Sequence, residues 1–132
     1  MFELLEINED MATRFLKLKS LETGYLEECF DDSAVVGEQN FDFMEKNHRY
    51  NCKIKLFGKV VDEKTDNSTL CRIIKEEVYV GTRQMVEVAM GVGRYYIPKN
   101  RINNPRRNEY FYFLCVRKDL IQVDDVVHAD YL

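Results

Sequence analysis

The stretch YNCKIKLFGKVV, residues 50–61, constrains the chain most. Cys52, Ile54 and Leu56 alternate there with Lys53, Lys55 and Phe57. Side chains of a strand point to opposite faces at every step, so this spacing predicts a strand with the first set inward and the lysines outward. The pattern slips at Phe57 and Gly58. A glycine inside a strand marks a bulge or a sharp bend, the device by which small barrels turn corners. No segment keeps a helical stripe for more than about two turns.

The same period recurs along the chain. It predicts strands at Phe2–Ile7, Thr13–Leu21 and Tyr25–Phe30, with a turn at Asn8–Asp10 and a short hairpin connection at Glu22–Gly24. Residues 31–49 read as irregular, with Phe41 and Phe43 plugging the core because two exposed rings are costly. Further extended segments are predicted at Leu70–Ile74, Val78–Val80, Met85–Met90, Arg94–Ile97 and Tyr110–Val116. Pro98–Asn108 reads as a loop, and the tail 117–132 as one more strand or a short helix. Many short strands separated by turns predict one all-β domain over residues 1–132. The architecture is a small barrel, OB-like or SH3-like, or a two-layer antiparallel sandwich, with room for one short helix.

Charge is unevenly spread. Residues 1–45 carry twelve acids against three bases, although the whole chain is only −4. Residues 93–113 hold five bases, one acid and six aromatic rings. Arg94, Lys99, Arg101, Arg106 and Arg107 lie there beside Tyr95, Tyr96 and Tyr110. Cations that track phosphates and rings that stack on bases are what a single nucleic-acid strand requires. In a strand Tyr95 and Tyr96 point opposite ways, so only one of them faces outward. A solvated basic loop between two strands accounts for the same residues.

The acidic third offers a second surface, built on Glu27, Glu28, Asp31 and Asp32. Immunity and inhibitor proteins use such surfaces, because complementary potential speeds encounter with a basic protein. Catalytic and metal chemistry have little to stand on. His48 and His128 lie at no ligand spacing from each other or from a cysteine, and no nucleophile motif appears. Asp62–Ser68 lacks the glycine and the final glutamate of a calcium loop, and Gly91-Val92-Gly93 lacks the third glycine of a dinucleotide fingerprint. Cys29, Cys52, Cys71 and Cys115 form no C-x-x-C pair and read as buried reduced thiols. A Cys52–Cys71 bridge is conceivable if their strands are neighbours. Neither a signal peptide nor an apolar span is present, so a cytoplasmic location without membrane contact is expected.

The expectation is therefore a non-enzymatic interaction module without cofactor or metal. A protein partner, as for an immunity or inhibitor protein, is the first reading. An OB-like binder of single-stranded nucleic acid through residues 94–112 is the alternative.

Overall fold

The computed structural model describes residues 1–132. Strands β1 (Phe2–Asp10), β2 (Thr13–Ser20) and β3 (Leu26–Asp31) form an antiparallel meander. Asn8–Asp10 does not turn. Those residues stay in β1 opposite Phe15, Arg14 and Thr13, and the chain reverses at Met11-Ala12, with Met11 at φ 56°. Cross-strand pairing thus overrides a local turn composition. One helical turn, α1 (Ser33–Val36), follows β3, so the short helix sits here. A two-residue strand, β4 (Arg49–Tyr50), then pairs with the start of β1. Of the two phenylalanines in this segment only Phe41 is buried. Phe43 is exposed and meets Tyr50 edge-on, centroids 6.0 Å apart.

The remaining strands are β5 (Cys52–Val61), β6 (Thr69–Val80), β7 (Arg83–Met90), β8 (Gly93–Pro98), β9 (Tyr110–Val123) and β10 (Val126–Val127). The segments predicted at Leu70–Ile74 and Val78–Val80 are one strand, β6, whose register shifts on either side of Lys75. The tail continues β9 to 14 residues, and 3-10 turns occupy Lys99–Arg101 and Ala129–Tyr131. Strands β6, β7 and β8 form a second meander. Strand β8 meets β5 in parallel at Lys55 and Tyr96, β5 runs antiparallel to β9, and β9 returns to β6. The path β5-β9-β6-β7-β8 is therefore a ring. Cys52 and Cys71 lie on β5 and β6, which do not pair, so the neighbouring strands a bridge requires are missing.

Strand β9 ties the structure together. One edge runs along β5. The other meets β6 at Tyr110–Phe113, β3 at Asp119 and β10 at Gln122–Val123. The contact with β3 is parallel and fastens the first meander to the ring. Gly58 bends β5 against β9, as its place in the pattern predicts. The register shifts between Phe57 and Gly58, and a Cβ at Gly58 would overlap the Leu114 carbonyl.

One apolar cluster of 18 buried residues draws on both meanders, from Leu4, Leu16 and Leu18 to Ile54, Val88 and Phe113. Each such side chain contributes roughly 1.5–3 kcal/mol on burial. A smaller cluster of Val80, Met85, Ile121 and Tyr131 seats the C-terminal turn. The fold is all-β with short helical pieces, and no helix is long and apolar enough to cross a membrane.

Candidate interaction surface

The basic, aromatic segment does not present its rings together. Tyr95 points inward on β8 and is buried, so it is not available to stack on a ligand. Tyr96, on the opposite face, is half-buried with Lys53 Nζ 5.8 Å from its ring centre. Tyr110 is 59% exposed at the start of β9. The charges are partly answered by acids nearby. Arg94 lies 3.7 Å from Glu87, Lys99 lies 2.8 Å from Glu77, and the Arg107 backbone N–H donates to Glu76. Arg101 and Arg106 are exposed.

The acidic surface divides in the same way. Glu28 is exposed and Asp32 half-buried, but Glu27 and Asp31 are buried and belong to the interior. Period 2 explains this outcome: β3 reads exposed, buried, exposed, buried, and Glu27 and Asp31 fall on the inner face with Cys29. Each buried acid has a cation. Asp31 accepts from Arg14 Nε at 2.7 Å and from the Ser33 N–H, while Arg14 also donates to the Phe41 carbonyl. Glu27 accepts from the Tyr95 hydroxyl and from Lys118 Nζ, both at 2.5 Å. Asp32 meets His128 Nε2 at 2.6 Å, and the Nδ1 of that ring accepts from the Asp130 N–H, so the neutral ring donates from Nε2. Glu27 and Asp31 hold the fold and are not free to meet a partner.

The outer face carries an arrangement that sequence reading missed. Phe15 on β2 lies opposite Phe30 on β3, ring centres 5.3 Å apart. The Arg117 guanidinium on β9 lies 4.2 Å from the Phe30 ring centre and 4.9 Å from that of Phe57, its partner on β5. Lys55 Nζ stands 5.7 Å from the Phe57 ring centre. Three rings and two cations thus form a stripe across four strands. Phe15 is 38% and Phe57 42% exposed. Arg117 is held flat by two hydrogen bonds to Asp119, of 2.5 and 3.3 Å. The charge–ring contacts contribute about 0.5–1 kcal/mol each at an exposed site, enough to order the stripe.

No protein-family model, curated protein or solved structure matches the chain.

Other reactive groups are subdued. Cys29 and Cys71 are buried and Cys52 and Cys115 half-buried, all as free thiols. Burial pushes the thiols of Cys52 and Cys71 up to about 12, with a smaller push from Asp124 and Cys115 respectively. Such thiols are poor nucleophiles at neutral pH. Burial, and then the hydrogen bond to Glu27, raises the Tyr95 hydroxyl well above its ordinary range. His48 is exposed in a loop and His128 is buried against Phe41 and Tyr131. The signal that could have found the stripe is weak: Phe15 and Phe57 each stand on the lysine side of an alternating strand, and Phe30 shares its side of β3 with Leu26 and Glu28.

Proposed function

We propose that the chain is a non-enzymatic interaction module that binds a protein partner through the stripe of Phe15, Phe30, Arg117 and Phe57. In this reading the ring is a small OB-like barrel, the chain works in the cytoplasm, and the outer sheet face carries the contact. The observation that supports it is the alignment of three rings, Phe15 and Phe57 exposed and Phe30 half-buried, with an immobilised arginine across four strands. Aromatic side chains and arginine dominate the energetic centres of protein interfaces. The surrounding charge is mixed, with Lys17 opposite Glu28 and Arg117 bound to Asp119. A strand of phosphates favours an unbroken run of cations instead.

The second reading, single-stranded nucleic acid at Arg101, Arg106, Arg107 and Tyr110, is favoured by the exposure of these four residues. One experiment separates the two. The wild-type chain and the variants Phe57→Asp and Arg106→Glu/Arg107→Glu are used as bait in extract and, in parallel, titrated with a labelled oligonucleotide at about 50 mM salt. The protein-partner reading expects a specific protein retained by wild type and by the double-glutamate variant and lost with Phe57→Asp. Salt-sensitive oligonucleotide binding that disappears in the double-glutamate variant would instead establish the second reading.

A further inference from the structure

A concavity of about 540 Å³ is lined by residues of β5, β7, β8 and the two 3-10 turns. Three structural choices shape it. Strand β5 bends at Gly58, the chain turns after Pro98 into the 3-10 turn Lys99–Arg101, and the C-terminal turn docks on the β6–β7 connection. That docking is tight: the Thr82 N–H donates to the Tyr131 carbonyl at 2.7 Å, and a Cβ at Gly81 would overlap the same carbonyl. Lys55 from β5, Arg83 from β7 and Arg101 from the 3-10 turn line the cleft, with Asn100 beside them. Asp130 is the single acidic side chain in its wall.

The two inward-pointing cations each have a carboxylate, and so does Arg117 on the outer face. Arg14 has Asp31, Lys118 has Glu27 and Arg117 has Asp119. Lys55, Arg83 and Arg101 form no ion pair, although they come from three elements to one concave site. Three like charges on one concave surface raise its positive potential, and a bound anion lowers the repulsion between them. The volume suits a small molecule, for such sites span roughly 300–1,000 Å³. Phe57 and Pro98 add apolar surface on which a planar group can lie.

We infer that this cleft binds a small phosphorylated molecule, its phosphate held by Lys55, Arg83 and Arg101 and its organic body lying against Phe57 and Pro98. Guanidinium groups match phosphate oxygens two at a time, which favours a phosphate over a diffuse negative surface. The inference stands apart from the protein partner proposed above. It does imply that ligand and partner compete, because Phe57 and Lys55 belong to both sites.

The test is isothermal titration of the whole chain with pyrophosphate, adenosine monophosphate, adenosine and a short oligothymidylate at low salt. Pyrophosphate and adenosine monophosphate are expected to bind saturably, and adenosine is not. Arg83→Gln and Arg101→Gln should each weaken binding at least about tenfold, close to 1.4 kcal/mol. Arg94→Gln, outside the cleft, should leave it unchanged. Both arginines of the cleft are exposed, so these variants keep the fold, as circular dichroism would verify. Absence of saturable binding of either phosphate at about 1 mM overturns the inference. So does binding of the oligothymidylate alone, or phosphate binding that ignores the cleft substitutions.

Discussion

Arg117 and Lys118 are neighbours on β9 and live in different worlds. Arg117 points outward, lies between two phenylalanine rings and shares its charge with Asp119 in reach of water. Lys118 points inward and bonds to Glu27, whose side chain is 3% exposed. Its ammonium also lies 4.9 Å from the Tyr95 ring centre and 3.3 Å from that residue's hydroxyl. Both cations have one carboxylate at 2.5 Å. The lesson is that geometry alone does not rank them. A dry ion pair is costly to break because the survivor keeps its charge away from water, whereas a wet one is replaced by solvent at little cost.

Breaking each pair in turn tests that contrast. Lys118→Met leaves Glu27 buried with only the Tyr95 hydroxyl, and is expected to lower unfolding free energy by about 3–5 kcal/mol. Replacing both partners, Glu27→Leu with Lys118→Met, should restore a large part of the loss in urea titrations. If the single change costs no more than about 1 kcal/mol, the interior cluster is not dry.

Alkaline pH sharpens the contrast without mutation. Cys52, Cys71 and Tyr131 are each held up to about 12 by desolvation, from ordinary values of 9.0 for the thiols and 10.0 for the tyrosine. Their folded-state values lie above the unfolded ones, so the native chain keeps protons that the unfolded chain has lost. The resulting stabilisation is fully present below about pH 9 and is lost as pH rises toward 12. Melting temperature should hold between about pH 7 and 8.5 and fall progressively above 9. A melting temperature that stays level to about pH 11 would mean these groups are wet.

The smallest stability effect belongs to the outer face. Arg117→Gln should cost at most about 1 kcal/mol in urea, yet remove capture of a protein partner. A stability loss equal to that of Lys118→Met would erase the difference between the two faces.

How legible was this from the sequence? Period 2 carried the extended segments and the bend at Gly58, since both are local. It also put Tyr95 and Tyr96 on opposite faces. It missed that Glu27, Asp31 and Lys118 point inward, because a charged residue on an inner register resembles a solvated one until its partner is known. Glu27 and Lys118 stand 91 residues apart. The stripe was beyond reach for a related reason. Its members come from four strands, and their alignment depends on three strand registers, including the parallel bridge of Phe30 with Asp119. The basic segment drew attention by its density, although Glu76, Glu77 and Glu87 lie against it from β6 and β7.

The position of β9 in the chain has a consequence for how the protein comes into being. A nascent polypeptide that has emerged as far as Pro98 holds two meanders and lacks the strand that pairs with both sides. The strand that pairs with both is made last of the three, and its partners β3 and β5 must wait for it with strand edges unpaired. Assembly is then limited by long-range encounter with β9, and the waiting interval is when chaperones matter most.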